Sequence, residues 1–240
     1  MAAEQWHTAR LSGFDDLTED TRRFFLEAID GSVEFKPGQF ITLDLPIHEK
    51  RIRRWRSYSL ANAPNGNTME LVIKHVPGGA ATRYLWEQVE PGTLLQYKGP
   101  QGTFVLPDEI LTDLCLVATN TGVAPFRSML LDLLQRPRSH HRIYLVFGTR
   151  YLSGLLYRDD FERLQQELPG FEYHYTLSRE SSPDYTGRRG YVHAIYEELF
   201  ADLRPAHFFL CGWRNMIDEA RHRLLQMGYT PRQIHVELYG

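Results

Sequence analysis

Ser178 and Arg179 place a hydroxyl group beside a guanidinium group, a combination suited to binding a phosphate monoester. Arg189 would add a second positive charge, and Tyr191 offers a flat ring on which an adenine can stack. Each arginine taken alone is best explained as a solvated surface charge. Together the four residues predict a site for a nucleotide that carries a 2′-phosphate.

The segment TNTGVAP, residues 119–125, follows an apolar run and precedes a helical pattern. A helix that begins just after a strand attracts anions, because its first N–H groups lack helical partners and its dipole favours negative charge. Gly122 would let the backbone approach a pyrophosphate closely, and Pro125 suits a first helical turn. One glycine is weak support, so a tight turn without any ligand is an equal alternative. The turn residues assigned to the nucleotide are Thr121, Gly122, Val123 and Pro125.

Polar or conformationally special residues also follow other apolar runs. The carboxyl ends of parallel strands form the ligand crevice of an open α/β sheet. Because such residues fall at successive strand ends, we expect them to line one site. The residues at these ends are Gly148, Arg150, Ser178, Arg179, Cys211 and Gly212.

Such a site requires an α/β sheet, and the sequence from about residue 108 predicts one. Apolar runs such as LCLVATN, IYLVFGTR and HFFLCG alternate with helical patterns such as APFRSMLLDLLQ, which is typical of βαβ units around a parallel sheet. The first hundred residues contain short β-rich runs between turn signals, with one helix at Ala81–Gln88, which indicates an antiparallel barrel or sandwich. We therefore predict two domains, an antiparallel β-barrel over residues 1–107 and a doubly wound α/β domain over residues 108–240.

The composition excludes several function classes. Lysine and arginine number 27 against 30 acidic residues, a net charge of −3, so the chain lacks the basic surface of a nucleic-acid-binding protein. Its two cysteines, Cys115 and Cys211, form no CxxC pair and cannot supply a four-cysteine iron–sulfur cluster. The N-terminus lacks the apolar core of a signal peptide, and no apolar run approaches the roughly 20 residues that span a membrane. We expect a cytoplasmic protein.

One arginine motif and one glycine motif in the first half of the sequence resemble those of a known family. The run RIRRWRSYSL, residues 51–60, ends in an R-x-Y-S pattern, and GGAAT, residues 78–82, matches G-G-x-x-[ST] at the start of a short helix. In this order they resemble the ferredoxin–NADP⁺ reductase family of flavoproteins, over nearly the whole chain. The resemblance implies that Arg56 contacts the FAD pyrophosphate, that Tyr58 packs on the isoalloxazine and that Ser59 lies near its N5. The implied FAD-binding residues are Arg56, Ser57, Tyr58, Ser59, Gly78, Gly79, Ala80, Ala81 and Thr82. For the second motif, a glycine turn capped by Thr82 is the structural alternative.

Motifs in the second half resemble the NADP(H)-binding half of the same family. LVATNTGVAPFRSML is similar to the nicotinamide-nucleotide turn, but Asn120 stands where the family usually has glycine. Asparagine tolerates a left-handed backbone better than most residues, so we expect the turn to survive. TLSRE and TGRRGYV resemble the pocket that selects the 2′-phosphate and stacks on the adenine, which agrees with the site proposed above for Ser178, Arg179, Arg189 and Tyr191.

The C-terminal motifs resemble the catalytic residues of these reductases. Cys211 and Gly212, with Met216, are similar to C-G-x-x-x-M, which places Cys211 beside the nicotinamide; a small buried strand-end residue is the alternative. Glu237 and Tyr239 resemble the terminal E-x-[YF], in which the aromatic ring covers the flavin and the glutamate lies near N5. Here one glycine follows the tyrosine.

The resemblance implies an FAD-dependent oxidoreductase that transfers a hydride between NADP(H) and flavin, and single electrons between flavin and a separate ferredoxin or flavodoxin. The implied catalytic residues are Ser59, Cys211, Glu237 and Tyr239. A positive rim for an acidic carrier would comprise Arg51, Arg53, Arg54 and Lys74, although solvated charges or contacts to the adenosine end of FAD explain these residues equally well. Alternative functions are a reductase component of an oxygenase system, a reductase of free flavin, and an FAD-binding electron-relay or regulatory subunit without catalysis.

Overall fold

The computed structural model describes residues 5–239, which form two compact units. The first unit contains the residues up to Val105 together with Arg127–Asp132, and the second contains Leu106–Phe126 and the residues from Leu133 onward. The domain boundary between residues 107 and 108 stays a prediction. Within residues 5–239, no helix has the length and apolar character needed to cross a membrane.

The first unit is built on a six-stranded antiparallel sheet with the strand order β4-β3-β6-β1-β2-β5. Its edge strands β4 and β5 meet through an antiparallel bridge between Leu60 and Leu71, and the Ala61 N–H donates to the Glu70 carbonyl at 2.9 Å. This closure confirms the predicted antiparallel barrel. The strands are β1 (His7–Thr18), β2 (Thr21–Ala28), β3 (Phe40–Asp44), β4 (Trp55–Ser59), β5 (Thr68–Lys74) and β6 (Leu94–Gln101).

The barrel interior is filled by apolar side chains that alternate along the strands, as expected when one face of each strand is buried. Leu11, Phe24 and Ile41 are each 2% exposed or less. Helix α1 (Ala80–Glu87) packs Leu85 into the same core, and it begins and ends one residue before the predicted helix.

The second unit is a five-stranded parallel sheet with the strand order β11-β10-β7-β8-β9, which confirms the predicted α/β fold. The chain runs outward from β7 through β8 to β9 and then returns to β10 on the other side, so the order reverses between β7 and β10. Ligand crevices of open α/β sheets lie at the carboxyl ends of the strands that flank such a reversal. The strands are β7 (Asp113–Thr119), β8 (Ile143–Thr149), β9 (Phe171–Leu177), β10 (Ala206–Gly212) and β11 (Ile234–Leu238).

Four α-helices alternate with these strands along residues 113–238, and the central strands of the sheet are buried on both faces. Every residue of β7 except the last is buried, and the same holds for β8. This burial explains why these strands read as continuous apolar runs rather than as alternating patterns. The helices are α2 (Ala124–Gln135), α3 (Arg158–Glu167), α4 (His193–Leu199) and α5 (Arg214–Met227).

The central strand of the second unit gives a direct test of this packing. Leu116 in β7 is 0% exposed, whereas Leu111, just before the strand, is 71% exposed. We expect Leu116→Ala to lower the free energy of unfolding by about 2–5 kcal/mol through the cavity it leaves. Leu111→Ala, the matched control, should change it by less than about 0.5 kcal/mol. Urea denaturation followed by circular dichroism measures both, and equal midpoints for the two variants would contradict the buried position of β7.

Candidate cofactor-binding sites

In the first unit, strand β4 presents Arg56 and Ser57 at the surface. The Arg56 Nη1 group donates to the carbonyl oxygens of Arg53 at 3.0 Å and Trp55 at 2.7 Å. The Ser57 hydroxyl lies 2.9 Å from the Thr42 hydroxyl on the neighbouring strand β3. The guanidinium is therefore oriented by the backbone through one nitrogen, and its remaining N–H groups can bind an anion.

The next two residues of β4 are more deeply placed. Tyr58 is half-buried, and burial raises the pKa of its hydroxyl while the nearby Arg56 opposes this rise. Ser59 is only 4% exposed. The strand thus offers a neutral phenol ring and a buried hydroxyl next to a surface guanidinium.

The glycine loop before α1 is shaped by its two glycines and by Thr82. Gly78 has a φ of +76°, a conformation that favours glycine, and a Cβ on Gly79 would lie 3.0 Å from both the Thr82 hydroxyl and the Val76 carbonyl oxygen. The Thr82 hydroxyl accepts from the Val76 N–H at 3.1 Å and donates to the Val76 carbonyl at 3.1 Å. This hydroxyl is buried and holds the loop, and its contact with the pyrophosphate, which the resemblance implies, stays a prediction.

The N-terminus of α1 itself is not capped by a side chain. The N–H groups of its first turn, which include those of Ala80 and Ala81, therefore keep their capacity to bind an anion. The loop and the exposed edge of β4 together supply a donor set that fits the pyrophosphate of a dinucleotide such as FAD.

In the second unit, the predicted nucleotide turn follows β7 directly. A single 3₁₀ turn, Asn120–Val123, leads from the strand into α2. Asn120 has a φ of +50°, so the backbone at this position is left-handed. This conformation explains the preference for glycine here and why asparagine can replace it. Thr121 is half-exposed, but the other assigned turn residues, Gly122, Val123 and Pro125, are buried.

Gly122 and Gly212 allow the turn after β7 and the end of β10 to approach each other closely. A Cβ on Gly122 would lie 2.4 Å from the Cys211 carbonyl oxygen. Gly212 has a φ of +134°, and a Cβ there would lie 2.3 Å from the Thr119 hydroxyl. That hydroxyl accepts the Trp213 N–H at 3.1 Å. Gly122 thus approaches the neighbouring strand closely, and its predicted approach to a pyrophosphate stays a prediction.

The structure brings three of the predicted catalytic residues together at the carboxyl ends of β10 and β11. Cys211 pairs in register with Glu237 and is completely buried. Burial raises the pKa of the Cys211 thiol well above its usual range, Glu237 adds to the rise, and the Tyr239 side chain opposes it. The thiol is therefore protonated at neutral pH and is suited to packing against a ring rather than to nucleophilic attack. Met216, by contrast, packs into the hydrophobic core of the unit.

Ser178 and Arg179 lie just after β9, next to the end of β8. The Ser178 N–H and the Arg179 N–H donate to the carbonyl oxygens of Thr149 and Arg150, each at 2.9 Å. The Ser178 hydroxyl also lies 3.3 Å from the Thr149 carbonyl. The Arg179 side chain is exposed and makes no hydrogen bond or ion pair with the described residues. Its five N–H donors are therefore available to a phosphate.

Arg189 is used differently from Arg179. Its Nε donates to the Glu180 carbonyl at 3.1 Å, and its Nη2 donates to the carbonyls of Ser182 at 2.8 Å and Tyr185 at 2.6 Å. The guanidinium thus holds the loop between β9 and α4 in shape. Only Nη1 remains for the 2′-phosphate contact that the sequence assigned to this residue.

Large apolar side chains are exposed at the same edge of the sheet. Tyr191 is 73% exposed, in keeping with a stacking surface, and Trp213 after β10 is 56% exposed. Gly148 near the end of β8 has a packing role, since a Cβ there would lie 2.7 Å from a methyl group of Val192. The edge therefore combines exposed rings with arginine side chains.

The predicted positive rim of the first unit is partly neutralised. Arg51 and Arg54 both contact the buried carboxylate of Asp44, at 2.9 Å and 2.7 Å. Lys74 forms an ion pair with Asp20. Arg53 is exposed and is the member of this rim that makes no ion pair within residues 5–239.

Sequence reasoning missed Thr119 and Trp213. Their only signals were a threonine that closes an apolar strand and a tryptophan that directly follows Cys211-Gly212. Over residues 5–239, no group of three or more histidine, cysteine, aspartate or glutamate side chains is arranged to hold a metal ion.

Because Gly122 lies so close to the Cys211 backbone, we predict that adding one methyl group at this position destabilises the protein. Gly122→Ala should displace the turn from β10, lowering the melting temperature and weakening nucleotide binding, because the contacted atoms belong to the backbone and cannot rotate away. Gly13→Ala is the matched control, since a Cβ at Gly13 would meet nothing within 4 Å. Differential scanning fluorimetry measures both, and equal melting temperatures would contradict the close approach.

Comparison with known proteins agrees with this geometry. Residues 8–106 match the oxidoreductase FAD-binding domain family, and residues 116–222 match the oxidoreductase NAD-binding domain family. The chain is 35% identical to ferredoxin–NADP reductase B of Sorangium cellulosum over 96% of each protein. It is 36% identical to the phenol hydroxylase P5 protein of Acinetobacter pittii, over 88% of this chain and 59% of that protein. The crystal structure of the Amycolatopsis cytochrome P450 reductase GcoB superposes with a TM-score of 0.87 at 28% identity, covering 99% of this chain and 71% of that one.

Each unit therefore carries one cofactor: the barrel is an FAD-binding domain and the parallel sheet is an NAD(P)-binding domain. The uncapped start of α1 and the free guanidinium groups after β8 and β9 are the features of this chain that fit the two dinucleotides. The chain belongs to the ferredoxin–NADP⁺ reductase family of FAD- and NAD(P)-binding oxidoreductases.

Proposed function

We propose that this oxidoreductase takes electrons from NADPH and delivers them, through FAD, to a separate ferredoxin or flavodoxin. Bound flavin supplies the conversion between a two-electron donor and a one-electron acceptor. The observation that carries the choice of NADPH is the exposed Arg179 guanidinium beside the Ser178 hydroxyl, which makes no ion pair with the described residues. The similarity to the Sorangium ferredoxin–NADP reductase supports the choice of carrier.

Arg179 is the main determinant of the 2′-phosphate in this proposal. A phosphate monoester carries more charge than a hydroxyl, and a free guanidinium binds it through two parallel N–H groups. Arg189 contributes less directly, because three of its donors already hold the loop between β9 and α4. Tyr191, the most exposed aromatic ring of this edge, provides the stacking surface for the adenine.

Each unit contributes its own residues to the chemistry. In the first unit, Ser59 provides a buried hydroxyl to the flavin site. In the second unit, Cys211 packs against the nicotinamide, and the Glu237 carboxylate lies next to it in register. In this proposal Tyr239, which directly follows β11 at the end where Cys211 and Glu237 pair, must move before a nicotinamide ring can pack against Cys211. That movement would gate nucleotide binding.

The carrier docks, in this proposal, near the arginine run of the first unit. Arg53 offers an unneutralised positive charge, and Ile52 beside it is 66% exposed, so an apolar contact stands next to the charge. Arg51 and Arg54 share the buried carboxylate of Asp44, so these two arginines and the aspartate together carry a net charge of +1. Such a surface steers an acidic partner and accelerates association at low salt.

A second candidate function is the reductase component of an oxygenase system. The relative from Acinetobacter and the Amycolatopsis cytochrome P450 reductase favour it. The chain spans only 59% of the Acinetobacter protein. The two cysteines of this sequence cannot provide the four thiolates of a ferredoxin-type cluster, so residues 1–240 do not bind one by themselves.

If Arg179 binds the 2′-phosphate, its loss should affect NADP⁺ and NAD⁺ differently. Arg179→Ala should weaken NADP⁺ by about 10- to 100-fold, corresponding to the 1.5–3 kcal/mol of a charged hydrogen bond, and leave NAD⁺ nearly unchanged. Isothermal titration calorimetry of the oxidised, FAD-loaded protein measures both affinities. Arg221→Ala, at an exposed arginine of α5, is the control and should change neither. Equal losses for the two nucleotides would refute the assigned pocket.

Electron delivery is tested by anaerobic stopped-flow spectroscopy. NADPH should bleach the flavin absorbance faster than NADH, and the reduced protein should then reduce a [2Fe–2S] ferredoxin or a flavodoxin. Efficient turnover of free riboflavin with loss of FAD on purification would instead support a free-flavin reductase. Failure of both nucleotides to bleach the flavin would support a non-catalytic relay. Reduction of an oxygenase ferredoxin in preference to other carriers would favour the second candidate.

A further inference from the structure

The segment that directly follows β4 lies where the barrel closes on β5. It joins that strand through the Leu60–Leu71 bridge and through the bond from the Ala61 N–H to the Glu70 carbonyl at 2.9 Å. Leu60 and Ala61 are completely buried. Because Ser59 directly precedes them, groups that fix the position of this segment also fix the position of the Ser59 hydroxyl.

Two side chains of α2 bind the carbonyl oxygens of this segment. The Nη1 group of Arg127 donates to the Ala61 carbonyl at 2.8 Å, and the Ser128 hydroxyl donates to the Asn62 carbonyl at 2.6 Å. Both side chains are buried, and both residues belong to Arg127–Asp132, the part of α2 that lies within the first unit. Such bonds hold the backbone firmly, because breaking them would leave buried donors and acceptors without partners.

A buried carboxylate holds the guanidinium of Arg127 in place. The Nη1 group lies 3.1 Å and 3.2 Å from the two carboxylate oxygens of Glu70. The Glu70 N–H donates to the side-chain oxygen of Asn62 at 2.8 Å, and the Asn62 amide group donates to the Thr68 carbonyl at 3.1 Å. A charge taken out of water is costly unless it is paired and hydrogen-bonded. The ion pair and the amide therefore form one network that joins the segment after β4 to β5.

We propose that Arg127 and Ser128 are positioning residues of the flavin site. They hold the two carbonyl groups, and so keep the Ser59 hydroxyl in place, while Glu70 balances the charge of Arg127. The inference rests on the proposed role of Ser59 in the flavin site. Since a single nitrogen of Arg127 makes the three contacts with the carbonyl and the carboxylate, a lysine ammonium can make them as well, whereas an apolar side chain cannot.

Hydrogen–deuterium exchange of the FAD-loaded protein, read by NMR, tests this support without catalysis. Arg127→Met should speed exchange of the Leu60 and Ala61 amides by about 10-fold or more, because the segment loses its bond and the carboxylate loses its partner. Arg127→Lys should stay within about 3-fold of the wild type. Ser128→Ala, a milder variant that removes one hydroxyl, should speed the same amides by about 3- to 10-fold and carries the test if Arg127→Met does not fold.

Arg204→Met is the matched control for loss of a paired arginine. Arg204 lies in the second unit and forms an ion pair with Asp113 at 2.8 Å. Its loss should lower the melting temperature, but the two amides after β4 should exchange as in the wild type, because Arg204 does not belong to the network around them. A rise in their exchange equal to that of Arg127→Met would reflect general destabilisation and would overturn the proposal.

Flavin reduction shows whether the support acts through Ser59. With saturating NADPH in anaerobic stopped-flow experiments, Arg127→Met should slow reduction by about 10-fold and Arg127→Lys by less than about 3-fold. In a Ser59→Ala background, Arg127→Met should slow reduction by less than about 2-fold further, since the hydroxyl that it positions is gone.

Three results would contradict the positioning role. These are unchanged exchange in both Arg127→Met and Ser128→Ala, equal slowing by Arg127→Met with and without the Ser59 hydroxyl, and exchange in Arg127→Lys as fast as in Arg127→Met. Failure of the proposed function looks different. If Ser59→Ala reduces its flavin as fast as the wild type, Ser59 has no part in the flavin chemistry, and the support of the segment is then judged on amide exchange alone.

Discussion

The second unit depends on a close backbone approach between the turn after β7 and the end of β10. At Gly122 no atom larger than hydrogen fits between the turn and the Cys211 carbonyl, and at Gly212 the same is true against Thr119. Because backbone atoms meet without intervening side chains, the position of one strand end determines that of the other. The start of α2, the buried Cys211 and the exposed Trp213 are placed by this one contact.

The charges of the second unit are arranged around that contact. Several arginines away from the carboxyl edge pair with carboxylates, as Arg204 does with Asp113 and Arg223 with Glu219. At the carboxyl edge, Arg150 and Arg179 have no such partner among residues 5–239. A protein with a net charge of −3 thus keeps a local positive site, and such a site attracts a phosphorylated dinucleotide.

The first unit achieves anion binding through its backbone. The Thr82 hydroxyl holds the glycine loop against Val76, and this frees the first turn of α1 to offer its N–H groups. Arg56 is likewise held by carbonyl oxygens through one nitrogen and keeps the others. In both units, residues that resemble ligand contacts in the sequence also serve to organise the loop around the ligand position. Arg189 shows the same behaviour most clearly, with three of its donors bonded to loop carbonyls.

The sequence by itself determined the two folds, since alternating and continuous apolar runs reflect strands that are buried on one or both faces. It also determined the family, through motifs whose order along the chain is specific, and the left-handed turn at Asn120, because backbone preference is a local property. The tertiary structure alone decided which side chains keep free donors. Arg179 and Arg189 are the same residue type in the sequence. Within residues 5–239, however, the Arg179 side chain has no bonded partner, whereas Arg189 donates to three carbonyls of a folded loop. Likewise, the buried Arg127–Glu70 pair joins residues of α2 and β5 that are 57 positions apart in the sequence. Periodicity records burial, but the partners of a polar group are set by segments distant in sequence, and only the folded chain brings them together.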